Sequence, residues 1–251
     1  MKDDLGHPVE LTAPARRVVS LVPSLTEAVA ATRPEALVGA TDWCTHPADL
    51  DVPRVRGTKN PDRAAIAALE PDIVLANREE NRELDVERLR AAGIAVWVTE
   101  IETVDQAFAS MARMFEALGW DEPGWLGEAR SVWDVPVESS GRRVAVPIWR
   151  DPWMVVGSRT FTGDVLNRLG LVNAFGESAD RYPHTELGDI DRGDIDLVLL
   201  PDEPYVFTAD DGPEAFTQAP TVLVSGRALT WYGPSMLTAR AELLAAISSV
   251  E

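Results

Sequence analysis

Short apolar runs rich in valine and isoleucine alternate along this chain with longer stretches in which apolar residues recur at helical spacing. Strands that are buried on both faces of a parallel sheet give such uninterrupted runs, and helices connect one parallel strand to the next. The strands predicted in the first half of the chain are Arg17–Val22, Leu37–Thr41, Asp72–Ala76 and Ile94–Thr99. The alternation therefore predicts an α/β fold built on parallel sheets.

The helices predicted in the first half have recognisable ends. An alanine-rich helix follows the first strand, with Ser24 placed as its N-cap and Glu27 three residues later to complete a capping box. Further helices are predicted at Asp62–Leu69 and Leu84–Ala92, and Gly93 follows the latter as a C-cap glycine does. Together with the four strands, these helices predict one α/β lobe.

The second half shows the same alternation after a linker. Its predicted elements are the helices Val104–Leu118 and Pro123–Trp133, the strand Arg143–Trp149, the helix Thr162–Leu169, the strands Asp196–Leu200 and Thr221–Val224, and the helix Ser235–Ser248. Proline, serine and glycine are concentrated at 136–143. We therefore divide the chain into an N-terminal α/β lobe at 1–118, a connecting helix and linker at 119–140, and a C-terminal α/β lobe at 141–251.

One short stretch of the first half recurs in the second. The run Pro-Asp-Ile-Val-Leu at 71–75 is echoed by Ile-Asp-Leu-Val-Leu at 195–199. An echo of this length supports two similar lobes only weakly.

The charge of the chain narrows its possible partners. The sequence has 41 acidic and 23 basic residues, which gives a formal net charge of −18 at pH 7. A phosphate backbone or an anionic membrane surface would be repelled, so nucleic acid is not an expected partner, and no run is long enough to predict a membrane span. Cys44 is the only cysteine, which excludes an internal disulfide and a multi-cysteine metal site.

Ligands of open parallel sheets bind beyond the carboxyl ends of the strands, so the residues that directly follow each predicted strand are candidates for a site. Aromatic side chains recur at these places and would suit a large planar or amphipathic ligand. The strand-end candidates are Trp43, Asn77, Arg78, Arg150, Trp153, Tyr205, Phe207, Trp231 and Tyr232. The competing interpretation is that the rings pack loops onto the sheets and that the arginines pair with the abundant carboxylates.

Five stretches of the chain carry a resemblance to a known family. They are Arg17–Glu27, Val38–Cys44, Gly57–Pro61, Ala68–Val74 and Leu89–Ile94. In this order and spacing they resemble the helical-backbone metal receptor superfamily, the class III periplasmic solute-binding proteins of cobalamin, iron-siderophore and haem importers. The cobalamin-binding branch is the most similar. The resemblance implies two Rossmann-like lobes with parallel sheets, joined by a connecting helix, that hold a metal-chelate ligand between them for an ABC-type importer.

The resemblance also adds ligand candidates. It places Lys59 in a loop that the family uses for ligand, and it places Tyr182 and His184 where the ligand loop of the second lobe lies. Lys59 and Asn77 stand where the cobalamin-binding branch usually carries aromatic residues, so the corrin contacts of that branch are not reproduced residue by residue.

The topology sets an expectation for the geometry of the site. The carboxyl ends of parallel strands lie along one edge of each sheet, and two lobes that share a ligand must meet along those edges. We therefore expect the second-lobe rings of Trp153, Tyr205 and Trp231 to face Trp43 and Lys59 across one cleft. In the empty protein the three rings should be partly exposed.

The histidines limit the kind of metal that could be bound. There are three, His7, His46 and His184, and His7 lies in the polar first segment, so a bare ion held by several histidines is not expected. An axial ligand to a chelated metal needs one imidazole or thiolate, and His184, His46 and Cys44 are candidates. The alternative is that each is an ordinary hydrogen-bonded or buried residue. The expected ligand is cobalamin, haem or a ferric siderophore, with no further cofactor.

An enzyme would have to use Cys44 as a nucleophile with His46 or His184 as its base. Cys44 and His46 would point to opposite sides of an extended segment, and the Gly-x-Ser-x-Gly, P-loop and Gly-x-Gly-x-x-Gly motifs are absent. We therefore predict a monomeric binding protein that is not an enzyme. An intracellular carrier or sensor of the same ligand is the alternative.

The first residues are polar and show no signal peptide. This predicts a cytoplasmic location for the chain as it stands. If a leader has been removed, the location would be extracytoplasmic or periplasmic, as is usual for the family.

Overall fold

The chain folds into two compact α/β units, and the computed structural model describes residues 1–250. The first unit comprises Met1–Glu100, Ala107–Gly127 and Tyr232–Pro234. The second comprises Ile101–Gln106, Glu128–Trp231 and the residues from Ser235 onward. None of the helices described is long and apolar enough to cross a bilayer.

The first unit contains one four-stranded parallel sheet with the order β2-β1-β5-β6. Its elements are β1 (Val18–Ser20), α1 (Pro23–Thr32), β2 (Leu37–Ala40), β3 (Arg56–Gly57), β4 (Asn60–Pro61), α2 (Arg63–Ala68), β5 (Ile73–Asn77), α3 (Glu83–Ala91), β6 (Val96–Thr99) and most of α4 (Val104–Ala117). β3 and β4 pair with each other as an antiparallel hairpin. The four predicted strands and the helices corresponding to α2, α3 and α4 are confirmed to within two residues at each end.

The N-terminus of α1 differs from the prediction. The helix begins at Pro23, its N-cap is Val22, and no side chain caps it. Proline at the first helical position has its φ fixed at a helical value and no N–H to satisfy, so the helix starts two residues earlier than a cap at Ser24 would allow. Ser24 and Glu27 are buried inside the helix, and the predicted capping box is wrong.

The C-terminus of α3 confirms the prediction for Gly93. The N–H of Gly93 donates to the carbonyl of Arg90 at 2.9 Å and the N–H of Ile94 donates to that of Leu89 at 3.1 Å. This pair of bonds needs a left-handed residue after the helix, and Gly93 has φ +81°.

The second unit repeats the parallel sheet with the order β10-β7-β11-β12. Its elements are most of α5 (Gly124–Trp133), β7 (Arg143–Ala145), β8 (Pro147–Trp149), β9 (Met154–Val155), α6 (Phe161–Arg168), β10 (Val172–Asn173), α7 (Leu187–Ile190), β11 (Leu197–Pro201), β12 (Thr221–Val224), α8 (Gly226–Thr230) and α9 (Met236–Ser248). The sheets are parallel in both units, so the predicted α/β class with two Rossmann-like lobes is confirmed.

The predicted strand Arg143–Trp149 is broken into two. β7 ends at Ala145 in the centre of the sheet, and Pro147–Trp149 leaves the sheet to pair antiparallel with β9. Pro147 has no N–H and cannot continue a strand that has neighbours on both sides. The break carries Trp149 and the following loop away from the sheet as a hairpin.

The sequence echo at 71–75 and 195–199 marks equivalent structural positions. The carboxylate of Asp72 accepts from the N–H of Arg17 at 2.9 Å, and that of Asp196 accepts from the N–H of Arg143 at 2.6 Å. In return, the main-chain N–H of each aspartate donates to the carbonyl of the same arginine at 2.8 Å. Each unit therefore uses one aspartate to fasten the start of its third sheet strand in sequence to the start of its first.

Candidate ligand-binding edges of the two sheets

The carboxyl edge of the first sheet is closed around Cys44 by hydroxyl groups. The Oγ1 atoms of Thr26 and Thr41 lie 3.0 and 3.1 Å from the Sγ atom of Cys44, which is fully buried. Burial raises the pKa of the Cys44 thiol above its usual value, and the two threonine hydrogen bonds only partly oppose this. Cys44 is therefore held as a neutral, enclosed thiol.

Asn77 is engaged within the protein. Its Nδ2 donates to the carbonyl and hydroxyl oxygens of Thr99 at 3.2 and 3.1 Å, and its Oδ1 accepts from the N–H of Glu79 at 2.8 Å. The side chain of Asn81 accepts from the N–H of Asn77 at 2.8 Å and donates to the carbonyl of Thr58 at 3.0 Å. These contacts fix the loop after β5, while a ligand contact by Asn77 stays a prediction.

Trp43 is the most exposed aromatic side chain of this edge, with 66 % of its surface accessible. Its indole lies beside the β3–β4 hairpin, where a Cβ at Gly57 would come within 3.3 Å of the Trp43 Nε1 atom and within 2.5 Å of the Oδ1 of Asn60. Lys59 at the tip of that hairpin donates from Nζ to the main-chain carbonyl of Glu79. Partial desolvation lowers the pKa of Lys59.

Tyr232 also belongs to the first unit and is buried, with its hydroxyl beside Thr99 and Ser24. Burial raises the pKa of the Tyr232 phenol far above its usual value. The neighbouring Trp231 is assigned to the second unit and is buried as well, with 7 % of its surface accessible.

The carboxyl edge of the second sheet carries a series of aromatic rings that runs from the core to the surface. Trp153 stacks on Phe207 with ring centroids 6.1 Å apart, and Tyr205 lies 4.7 Å from Phe207. Trp149 meets Tyr205 edge-to-face at 5.4 Å and is 44 % exposed. The rings therefore become progressively more accessible from Phe207 to Tyr205 to Trp149.

This series corrects the expected exposure of two candidates. Trp153 is only 8 % exposed and packs in the core of the second unit against Phe207 and Phe216, and Trp231 is buried too. The β8–β9 hairpin turns Trp153 inward, because the chain reverses after Trp149. Tyr205 is partly exposed as expected.

Trp149 was missed as a candidate, although it is the last residue of a predicted strand. The usable signal was its place directly before Arg150, at the carboxyl end of that strand.

The arginines of both edges are paired with carboxylates. These ion pairs are Arg78–Glu100, Arg150–Asp211, Arg150–Glu214 and Arg181–Glu102. The Cζ atom of Arg150 also lies 5.3 Å from the ring centroid of Trp153. The hydrogen bond that Arg150 donates to Glu214 raises the pKa of Arg150 above its already high value, so its charge is permanent. For the two predicted candidates, Arg78 and Arg150, the structure thus shows the pairing with carboxylates that was the competing interpretation.

Glu203 was not predicted and is the most perturbed carboxyl of the second edge. Burial, reinforced by the charge of Asp202, raises the pKa of Glu203 to about 7, although a hydrogen bond with Trp231 and the charge of Arg227 oppose the shift. Gly226 permits this burial, since a Cβ there would lie 2.3 Å from the Cγ of Glu203.

The two histidine candidates lie in different units. His184 is exposed and pairs through its main chain with Met154, next to the half-buried Tyr182. The Nδ1 of His46 lies 3.1 Å from the hydroxyl of Thr45. Within residues 1–250 no group of three or more histidine, cysteine or acidic side chains is arranged to hold a metal ion. An axial role for His184 or His46 stays a prediction.

Two α/β units with the same parallel strand order and aromatic side chains at the carboxyl edges define the fold of the two-lobed solute-binding proteins. The structure aligns with a periplasmic haem-binding protein, RhuT, from Roseiflexus sp. RS-1, with a TM-score of 0.77 over 94 % of this chain and 99 % of the other at 17 % identity. It also aligns with the periplasmic vitamin B12-binding protein BtuF of Vibrio cholerae, with a TM-score of 0.73 over 94 % and 98 % at 18 % identity.

Sequence comparison finds vitamin B12-binding proteins as relatives. A vitamin B12-binding protein of Pectobacterium carotovorum is 22 % identical over 250 residues, covering 94 % of this chain and 89 % of the relative. No protein-family model matches the chain. The predicted resemblance to the class III periplasmic solute-binding proteins is confirmed, and the relatives found by sequence are vitamin B12-binding proteins.

Proposed function

We propose that this solute-binding protein binds cobalamin or a related corrinoid through the strand-end aromatic side chains of its units, as a monomer that needs no other cofactor, and delivers it to an ABC-type permease. The observation that carries the proposal is the exposure of Trp43 and Trp149. They are the only aromatic residues among the large apolar side chains that residues 1–250 expose. Trp43 follows β2, and Trp149 ends β8, the strand that continues the chain beyond the carboxyl end of β7. Tryptophan is enriched at binding surfaces, because it combines a large apolar area with a polar N–H.

The surroundings of Cys44 favour binding over catalysis. A cysteine nucleophile needs a thiolate, and reactive cysteines have a lowered pKa in a polar or cationic site. Cys44 is buried between two threonine hydroxyls and its pKa is raised. We infer that the protein is not a cysteine-dependent enzyme.

Titration with cyanocobalamin, haem and ferric siderophores, followed by calorimetry and visible spectra, tests the proposal. We expect cyanocobalamin to bind with one site per chain and to stay bound through gel filtration. Trp43→Ala should weaken binding by about tenfold, since a buried aromatic contact contributes roughly 1.5 kcal/mol or more. Leu84→Ala, which removes another exposed apolar side chain, on α3, serves as the control. The proposal would be overturned if no chelate bound at ligand concentrations of about 100 μM while a bare divalent ion bound tightly. A Kd of about 100 μM corresponds to a binding free energy of about −5.5 kcal/mol.

A further inference from the structure

Four cations near the strand-end edges already have partners inside the protein. The guanidinium groups of Arg78, Arg150 and Arg181 pair with carboxylates, and the ammonium group of Lys59 donates to a main-chain carbonyl. A ligand carboxylate or catecholate that approached one of them would have to displace an existing partner. Haem and tris-catecholate iron chelates carry such negative groups, whereas the amide side chains of a corrinoid do not.

We propose that the strand-end edge of the second unit selects chelates without net negative charge, with Trp149 and Tyr205 as the contact surface and Arg150 as an internal cation that is not offered to the ligand. This inference rests on the proposed function, because it concerns the ligand of the same site. The similar proteins include both vitamin B12-binding and haem-binding proteins, so their names do not distinguish a neutral from an anionic chelate. The charge selection proposed here makes that distinction.

The side chains around Arg150 form one continuous chain of contacts. Arg150 donates to Glu214 at 2.7 Å and also to Asp211, and the other oxygen of Asp211 accepts from the Tyr205 hydroxyl at 2.7 Å. Tyr205 in turn supports the ring of Trp149. The ion pairs therefore hold the two rings in place, which lowers the entropic cost of ligand contact.

The charge balance of this cluster is negative. One guanidinium faces three carboxylates, since Asp151 also lies 3.6 Å from the Arg150 Nε. The Asp151 side chain is 82 % exposed, and those of Asp211 and Glu214 are about half exposed, so their field reaches a ligand on the rings. Like charges juxtaposed at a contact surface reject the wrong partner more than they strengthen the right one.

A matched pair of ligands isolates charge from shape. Cyanocobalamin and its monocarboxylate, in which one peripheral amide is hydrolysed, differ by a single negative charge. We expect the monocarboxylate to bind the native protein about fivefold more weakly, as is typical of one unfavourable charge contact near a surface. The double variant D211N/E214Q removes the two charges that pair with Arg150. In this variant the ratio of the monocarboxylate Kd to the cyanocobalamin Kd should fall to about one or below one.

Two further variants keep the test decisive. The pair E87Q/E242Q removes the same number of charges from exposed positions on α3 and α9, and we expect it to leave the ratio unchanged. Asp151→Asn alters one highly exposed carboxylate and should reduce the ratio even if D211N/E214Q folds poorly. An affinity ratio of the two ligands that stays at its native value in Asp151→Asn, and in D211N/E214Q where that variant folds, overturns the inference.

The same measurements distinguish a failure of the proposed function from a failure of the charge selection. Corrinoid binding without discrimination between the two ligands leaves the proposed function intact and overturns the charge selection. If no corrinoid binds, the proposed function fails, and the charge selection is judged on a cationic trihydroxamate and an anionic tris-catecholate iron chelate. Tighter binding of the anionic chelate by the native protein would then refute it.

Discussion

The two units share a scaffold and differ at their carboxyl edges. Both have four parallel strands in the same order, and in both an aspartate before the third sheet strand holds the main chain before the first, Asp72 in one and Asp196 in the other. The first edge is closed by polar hydrogen bonds around Asn77 and Cys44, with Trp43 exposed beside it. The second carries stacked rings and ion pairs. The difference shows that strand-end loops can change chemistry without altering the sheet.

The largest expected effect separates core rings from surface rings. Trp153→Ala should lower the free energy of unfolding by about 4 kcal/mol, because it leaves a cavity in the second core. Trp43→Ala should change it by less than about 0.5 kcal/mol, because the ring is mostly exposed. Urea unfolding of both variants measures the contrast. Equal losses of unfolding free energy would contradict the assignment of Trp153 to the core and of Trp43 to the surface.

Asp191 fixes the main chain at 217–219 in the second unit by hydrogen bonds. Its carboxylate accepts from the N–H groups of Thr217, Gln218 and Ala219 at 2.8–2.9 Å and from the Thr217 hydroxyl at 2.9 Å. Asp191→Ala should therefore cost about 3 kcal/mol, since it leaves several main-chain donors without their acceptor. Calorimetric melting of this variant beside Asp189→Ala, an exposed aspartate in α7, provides the measurement and its control.

The same residue predicts a pH dependence. Burial by itself would raise the pKa of Asp191, but the main-chain hydrogen bonds outweigh burial and lower this pKa to about 2, below its ordinary value of 3.8. Its stabilisation is present above that ordinary value and is lost as the pH falls toward the folded pKa. Acid unfolding of the native protein should thus be steeper between these two values than that of Asp191→Ala. Parallel acid curves for the two proteins would contradict the assignment.

Glu203 predicts the opposite sign of pH dependence. Its pKa is raised to about 7, so the stability that the neutral form contributes is present below the ordinary value of 4.5 and lost as the pH rises through the folded pKa. Glu203→Gln should therefore be more stable than the native protein by about 2 kcal/mol at alkaline pH and close to it in acid. Denaturant unfolding across this range measures the difference, and the exposed Glu242→Gln should show none.

The smallest effect tests the shared scaffold itself. Asp72→Asn weakens the contacts of an exposed carboxylate with the N–H groups of Arg16 and Arg17, and Asp196→Asn weakens the corresponding contact with the N–H of Arg143. Each substitution should cost about 1 kcal/mol. Urea unfolding of the two variants should give nearly the same loss. A loss confined to one of them would mean that the sequence echo does not mark equivalent supports.

Much of the scaffold followed from local pattern alone. Buried parallel strands need uninterrupted apolar runs, and the capping glycine Gly93 needs a left-handed backbone, so both leave signals within a few residues. The same reasoning failed where neighbouring strands or a proline decided the outcome, at Pro23 and at Pro147. In both places the outcome depended on the backbone N–H that proline lacks. Its absence let α1 begin at Pro23 and prevented β7 from continuing through Pro147.

The sequence by itself also determined that aromatic and arginine side chains collect after the strands, because parallel topology brings those positions to one edge. Only the tertiary structure decided which of them are accessible. Trp153 turned into the core while Trp149 stayed outside, and Arg150 found Asp211 and Glu214, which lie more than sixty residues away in the sequence. Burial and ion pairing depend on contacts between distant segments, so no local pattern encodes them.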